Sequence, residues 1–390
     1  MKIWQLDPAN LTPYYDKALC SALANTGHDL HFFTTKYLYD EVLTYPDTFK
    51  VDFHYFQQLE FSFLLKFPII RRGLRLLSYP LDHWRLLQKC RQDRPDVIHL
   101  QWSRVPIFDL WFIKQVQKMG IPVIHTVHDV VPLFSQGKMA GNLGDIFSQV
   151  DALVVHTADS QRQMLEQYPQ ISANHIHIIP HLEEGVFIPP NANRKQARNH
   201  LKIAPATPMI LFFGNVKYYK GVDLLPEIFH RTKAIYPDLQ LWIVGKPDTE
   251  DDKIIVDKLK MIEGVNVRDT FIPYEELWMC HLATDISIYP YRNIFQSGAL
   301  LAGLSFGCAV VVTDVGGLPD GVDGNGWIVP PENPQAFADA LIEALSDKSR
   351  LHKMGQRSRQ IIDERFGAKP IAQQHINLYQ SLIETSKQSL

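Results

Sequence analysis

The sequence predicts an α/β protein made of two parallel-sheet halves, and three observations predict it. Residues 286–317 run from a strand-length apolar stretch (ISIY) through a polar loop into a helix of small residues. A β-branched run (VVVT) follows and stops at Gly316-Gly317. That is a β-loop-α-β unit, the building block of a parallel sheet. Residues 2–34 show the same order of strand, loop, helix and strand. Finally, 390 residues suffice for two ordinary α/β domains, with a proline-rich stretch at 189–193 (PPNAN) as the joint.

Composition narrows the function classes. Apolar residues make up 46% and charged residues 21%, the proportions of a soluble globular chain. A formal net charge of -3 leaves no basic excess for a nucleic-acid footprint. Cys20, Cys90, Cys280 and Cys308 lack metal-ligand spacing and read as buried thiols of a reducing compartment. No apolar run reaches the ~18 residues of a spanning helix. The opening MKIWQLDPAN has no long apolar core after its lysine, so it reads as a first strand and not a signal peptide. A cytoplasmic protein is expected, with peripheral attachment to the inner face of the membrane as a second reading.

In chain order, residues 2–6 form the first strand, a helix runs to residue 24, and 30–34 is the next strand. Tyr15 and Asp16 sit where the intervening loop enters the helix. Asp16 also reads simply as a helix N-terminal acid. Residues 59–92 interleave large apolar residues, from Phe61 to Leu77, with Lys66, Arg71, Arg72 and Arg75. Residues 59–77 suit an anionic membrane surface. They read equally as an amphipathic helix packed on the first half, its period interrupted by Pro68. Strands at 96–100 and 122–127 flank a helix at 110–119. His128 and Asp129 lie at the carboxyl end of the second of these strands, a ligand position in open α/β sheets. A core histidine is the plainer alternative. A strand at 151–157, a helix at 159–167 and the IIPH run ending at His181 complete the first half.

The second half opens with a helix at 195–201 and a strand at 209–213. Gly214 ends that strand, and there the backbone can approach a ligand without a Cβ. Asn215, Lys217 and Lys220 follow before a helix, and two cations in such a loop suit a pyrophosphate. Residues 239–245 form a strand ending at Gly245, and the acidic stretch 246–252 reads as a surface loop, not a metal site. Residues 265–272 lead into Pro273. The loop at 290–296 carries Tyr291, Arg292, Asn293 and Gln296. Ser297, Gly298 and Ala299 then start a helix whose first N–H groups suit a phosphate. Residues 321–329 close the sheet, with helices at 334–346, 349–365 and 370–386.

The segment from Pro290 to Gly317 resembles the donor-binding segment of the family 4 retaining glycosyltransferases (glycosyltransferase group 1). Their usual form is P-S-x-x-E-G-F-G-x-x-x-L-E-A-x-A-x-G-x-P-V-V-x-x-x-x-G-G. Pro290, Leu301, Gly307, Val310, Val311, Gly316 and Gly317 keep that frame, while the two family glutamates fall on Ile294 and Ala302. From Pro290 through Leu301 the chain resembles a branch whose loop reads P-Y-R-x-x-x-Q/T-S-G-x-L-L. Residues 214–221 (GNVKYYKG) are similar to G-R-x-x-x-x-K-G, residues 126–129 (TVHD) to T-x-H-D, and residues 272–277 (IPYEEL) to V-P-x-x-E-L. The likeness extends from Lys2 to about Phe366.

The resemblance implies the GT-B fold, two Rossmann-like domains with a cleft between them. Residues 1–190 would be the acceptor side, 205–369 the nucleotide-sugar-binding domain, and 370–390 a helix crossing back to the first. It implies transfer of a hexosyl group from a nucleoside diphosphate sugar to a glycan or lipid-linked acceptor, as in polysaccharide biosynthesis. The reaction would retain configuration and need no metal or cofactor beyond the sugar nucleotide. By position it implies catalytic roles for His128, Lys220 and Arg292. Donor contacts fall to Gly214, Asn215, Lys217, Lys220, Gly245, Ile272, Tyr291, Gln296, Ser297, Gly298 and Ala299. Acceptor-side contacts fall to Tyr15, Asp16, His128 and Asp129. Two other readings stay open: a phosphorylase-like enzyme of the same fold, and a non-catalytic partner subunit, which the missing glutamates favour.

Overall fold

The structure is a computed structural model, and it describes residues 1–37, 43–59, 67–130, 140–270, 272–273 and 276–388. The chain divides into two compact units, Met1–Leu182 with Ala368–Leu390, and Glu183–Gly367.

The first unit holds β1 (Lys2–Asp7), α1 (Pro13–Ala24), β2 (Asp29–Thr34), β3 (Lys50–Asp52), α2 (Pro68–Asp93) and β4 (Val97–Leu100). It continues with α3 (Pro106–Gln117), β5 (Val123–Thr126), α4 (Ala140–Gln149), β6 (Ala152–Val155), α5 (Ala158–Gln167) and β7 (Ile176–Ile178). The strands form one parallel seven-stranded sheet in the order β3-β2-β1-β4-β5-β6-β7. Every residue of β4, β5 and β6 is buried, as expected where helices cover both faces of a parallel sheet. The three-residue edge strand β3, with two charged residues, carries no apolar alternation and gave no signal in the sequence.

Pro68 opens α2 rather than interrupting it, because proline's missing N–H costs nothing at a first helical position. Tyr79, Asp82, His83, Leu86, Leu87 and Cys90 form one buried face at helical spacing. The first turns behave differently. Phe67, Ile69, Ile70, Leu74, Leu76 and Leu77 are exposed, Ile69 by 83% and Leu77 by 78%. The stretch with Phe61, Phe63, Leu64, Leu65 and Lys66 lies outside the described residues. Among the described residues, no helix is long and apolar enough to cross a membrane. The four cysteines are buried and free.

The second unit holds α6 (Arg194–His200), β8 (Met209–Phe213), α7 (Leu225–Lys233), β9 (Gln240–Val244), α8 (Glu250–Lys260), β10 (Val265–Arg268) and α9 (Leu277–Ala283). Then come β11 (Ile286–Tyr289), α10 (Gly298–Ser305), β12 (Ala309–Thr313), β13 (Gly326–Val329), α11 (Pro334–Leu345) and α12 (Lys348–Ile361). Its parallel sheet has the order β10-β9-β8-β11-β12-β13. The last helix, α13 (Ala368–Gln388), belongs to the first unit, where the Tyr379 hydroxyl lies 3.0 Å from the Gln5 side-chain amide.

The unit boundary thus precedes the proline-rich stretch expected to be the joint. Glu183 already donates its N–H to the Phe366 carbonyl at 2.8 Å, inside the second unit, and buried Arg198 of α6 holds the residues beyond the prolines there. The arginine donates to the carbonyls of Ala283, Ala204, Pro205 and Thr207 and pairs with Asp285 at 2.9 Å. The acidic stretch expected as a loop is partly helix. Thr249 caps α8 and exchanges hydrogen bonds with Asp252, a capping box written in the sequence as T-x-x-D.

Candidate functional site

In the second unit β8 and β11 are neighbours, and the connections after them lead to opposite sides of the sheet order. This is the switch point at which open α/β sheets bind ligands. The loops leaving it are residues 214–220 and 290–297, the two that the sequence singled out.

They touch through backbone. Gly221 has φ +67°, and a Cβ there would fall 1.9 Å from the Pro290 carbonyl oxygen, so only glycine permits the approach. The N–H of Arg292 donates to Tyr219 O at 2.8 Å. Gly214 has φ +117°. A Cβ on it would lie 2.9 Å from Lys220 Nζ and 3.4 Å from Ala299 Cβ. The lysine ammonium therefore hangs over Gly214, beside the first turn of α10, with the Tyr291 ring centroid 5.4 Å away. Burial first, and then the charge of Lys217, lowers the Lys220 pKa to about 8. Lys217 itself lies 3.2 Å from Asp248. Ser297 caps α10, its Oγ accepting from Leu300 N at 3.2 Å. The N–H groups of Gly298 and Ala299 precede the helix's own ladder. A Cβ at Gly298 would meet nothing within 4 Å, so the protein's packing does not require glycine there. Gln296 Oε1 is buried with no hydrogen-bond partner among the described residues.

Several expected donor contacts have other tasks. Arg292 forks onto Asp223 at 2.6 and 2.8 Å, reaches Tyr218 O at 2.8 Å, pairs with Glu332, and stacks on the Tyr218 ring at 4.2 Å. All five of its N–H donors are engaged, and the two carboxylates raise its pKa. It is a strut between loops, with Asp223, Glu332 and the Tyr218 carbonyl as its partners. Tyr291 is wholly buried, edge-on to Tyr289 at 5.9 Å, and belongs to the core beneath Lys220 instead of the surface that would meet a donor. Ile272 is buried in a cluster with Trp242 and Cys280, while Tyr274 and Glu275 beside it lie outside the described residues. Gly245 abuts the Gly214 carbonyl, and Asn215 is exposed. Ile294, at a family glutamate position, is core.

In the first unit, His128 and Asp129 follow β5, and both are half-buried. Burial raises the Asp129 pKa. Trp102 stacks on the His128 ring (4.9 Å, 13°) and Tyr15 meets it edge-on (5.1 Å, 89°). His156, at the carboxyl end of β6, sets its Nε2 3.4 Å from His128 Nδ1. His181 stands 5.0 Å from His156 and 4.6 Å from Tyr15, ring to ring. Burial lowers the pKa of His128 well below the usual histidine range, with the neighbouring histidines adding to it. His156 falls to about 4 and His181 to about 3, again through burial. Asp16, expected to contact substrate, is buried in the first turn of α1. It takes the Thr12 hydroxyl at 3.3 Å and shares a hydrogen bond with Asp7. The sequence reading passed over His156, although the strand-end rule that found His128 applies to it too.

Two family models match the chain: Glycosyltransferase Family 4 over residues 17–182, and Glycosyl transferases group 1 over residues 207–347. The chain belongs to the family 4, group 1 glycosyltransferases. It is 30% identical over 262 residues to the D-inositol 3-phosphate glycosyltransferase of Nocardia farcinica, covering 61% of this chain and 56% of that one. The protein of that name from Corynebacterium aurimucosum is 27% identical, covering 69% of this chain and 68% of that one. The match thus spans little more than half of the Nocardia protein. Among solved structures, sucrose-phosphate synthase from Thermosynechococcus elongatus superposes with a TM-score of 0.73 at 18% identity, covering 99% of this chain and 100% of that one. Anabaena HepE in complex with UDP superposes with a TM-score of 0.69 at 14% identity, covering 98% and 100%. These likenesses give the fold, the two Rossmann-like domains of GT-B glycosyltransferases.

Proposed function

We propose that this family member transfers a sugar from a nucleoside diphosphate sugar to an acceptor hydroxyl. The observation that carries it is the seat of Lys220. A desolvated ammonium lies over a strand-end glycine, beside the first turn of a helix, at the switch point of the sheet. A diphosphate there meets a cation and two N–H donors. Gln296 Oε1, an acceptor without a partner among the described residues, suits a hydroxyl of the donor. In the step, the bond from the anomeric carbon to the diphosphate oxygen breaks and its electron pair leaves with the diphosphate. The acceptor oxygen bonds to that carbon and its proton passes to the leaving phosphate. Attack on the face of departure would retain configuration. Stabilising the departing charge is the main catalytic demand, and Lys220, Lys217 and the start of α10 can meet it without a metal. The structures of HepE with UDP and of starch synthase IV from Arabidopsis thaliana with ADP support a nucleoside diphosphate as ligand.

The exposed apolar turns of α2, with Arg72 among them, suit peripheral docking of this cytoplasmic enzyme on an anionic membrane beside a lipid-linked acceptor. Ile294 and Ala302 favour one rival, a partner subunit that binds the nucleotide without turnover. The test is a thermal-shift screen with nucleoside diphosphates and their sugars, followed by a nucleotide-release assay with and without EDTA. Release that persists in EDTA supports the proposal. Binding without release favours the rival, and release lost to EDTA and restored by Mg²⁺ or Mn²⁺ refutes the metal-free clamp.

A further inference from the structure

The histidines of the first unit form a row whose protons can be counted. His156 Nδ1 lies 3.0 Å from Ile179 O, His156 Nε2 lies 3.4 Å from His128 Nδ1, and His128 Nε2 lies 3.2 Å from Gln101 Oε1. Each contact needs one proton. Both ends of the row are oxygens that only accept, and two neutral imidazoles bring only two N–H between them. The row is one proton short.

Burial among Tyr15, Trp102 and His181 keeps both rings neutral near pH 7, so an imidazolium is not the source. The Ile179 carbonyl has no proton to give. The Gln101 side chain does, because its amide nitrogen and oxygen have the same shape and can exchange places. Turning it points its oxygen at Gln5, 2.9 Å away, so the Gln5 amide turns as well. The Gln5 oxygen then accepts from the Tyr379 hydroxyl at 3.0 Å, and that hydroxyl accepts in turn from His99 Nδ1 at 2.7 Å. His99 Nε2 accepts from the Thr126 hydroxyl at 2.7 Å. Every group in the turned arrangement has a partner of the right kind.

We propose that His156 is a positioning residue that fixes His128 as its Nδ1–H tautomer. The Ile179 carbonyl holds the His156 proton on Nδ1, so His156 Nε2 is bare and must accept from His128. His128 Nε2 is then left as the basic nitrogen, facing the turned Gln101 amide. The stacked Trp102 ring and the edge of Tyr15 hold the imidazole plane. A histidine without such a partner can protonate either nitrogen. Any consequence for turnover rests on the transferase reading, but the tautomer does not.

The test uses the full chain with ¹⁵N-labelled histidine and ring correlations that separate protonated from bare nitrogens, at neutral pH. His128→Gln identifies the His128 signals by their loss. Wild type should show His128 with Nδ1–H and bare Nε2, and His99 likewise. His156→Phe removes the acceptor and should move the His128 proton to Nε2, with Gln101 turned back to accept it. His156→Gln keeps an acceptor oxygen and should preserve the wild-type tautomer. If the proposed activity holds, turnover should fall about tenfold in the Phe variant, recover in the Gln variant, and leave nucleotide affinity unchanged. A wild-type His128 carrying its proton on Nε2, or on both nitrogens, overturns the proposal. So does a folded His156→Phe protein with the tautomer unmoved. Should His156→Phe fail to fold, the wild-type and His156→Gln spectra still decide. An inactive enzyme would leave the spectra unaffected, which separates failure here from failure of the transferase reading.

Discussion

Lys220→Met should stabilise the empty protein while weakening its hold on a nucleoside diphosphate. In the empty site, burial and Lys217 hold the lysine pKa at about 8 against an ordinary 10.5. Each pKa unit corresponds to ~1.4 kcal/mol, so the charged form is disfavoured by on the order of 3 kcal/mol. The folded pKa lies below the unfolded one. The destabilisation is therefore fully present below pH 8 and relieved as pH rises from about 8 to 10.5. Near pH 7 methionine should remove it, raising stability by on the order of 1–3 kcal/mol. A bound diphosphate acts in the opposite direction, favouring the ammonium and raising its pKa. Wild type should thus take up close to one proton per nucleotide bound at about pH 9, and almost none at about pH 7. Calorimetric titration with UDP, GDP and ADP in buffers of different ionisation heat measures that uptake, and thermal or urea unfolding measures stability. Loss of the cation should also cost on the order of 3 kcal/mol of transition-state stabilisation, roughly two orders of magnitude in kcat/KM. A variant with unchanged stability, affinity and proton uptake would refute the assignment of Lys220 as a desolvated phosphate ligand.

A Cβ at Gly298 would meet nothing within 4 Å among the described residues, so Gly298→Val should leave the fold intact and abolish nucleotide binding, while Ala302→Ser stays near wild type. Normal binding by the folded valine variant, read by titration, would count against the loop as the diphosphate seat. The first unit should be acid-labile. His125 and His156 have folded pKa values of about 4, below the ordinary 6.5, so the unfolded chain binds more protons between those values. Stability should then be lost as pH falls from about 6.5 to about 4, followed by urea unfolding at a series of pH values; a flat profile contradicts burial of neutral rings. Flotation with liposomes should recover the protein with anionic but not neutral lipids, and less of it as salt rises, each basic residue contributing ~1 kcal/mol. Equal absence from both at low salt would leave the exposed turns of α2 without a lipid role.

How much the sequence revealed varied with the kind of signal. β8 and β11 were bounded correctly by apolar runs that end at Gly214 and Pro290. Both loops of the switch point were found because glycines, prolines and cations cluster there. Chain order could not show which polar residues turn inward. Arg292 reads as a catalytic cation, and the sequence could not show that Asp223 and Glu332, distant along the chain, are its partners. Tyr291 reads as a loop residue but packs in the core, since its ring fills the space under Lys220. The proline-rich stretch looked like a domain joint, yet the second unit begins before it at Glu183, whose N–H bonds to the Phe366 carbonyl far along the chain. His156 was visible at a strand end, yet its link to His128 depends on the register of β5 against β6.

Crystals of the full chain grown with a nucleoside diphosphate that binds in titration would test the donor site most directly. The diphosphate should lie within hydrogen-bonding reach of Lys220 Nζ and the N–H groups at Gly298 and Ala299, with Arg292 still held by Asp223. A diphosphate bound away from residues 214–220 and 296–299 would contradict the assignment of this loop pair as the donor site.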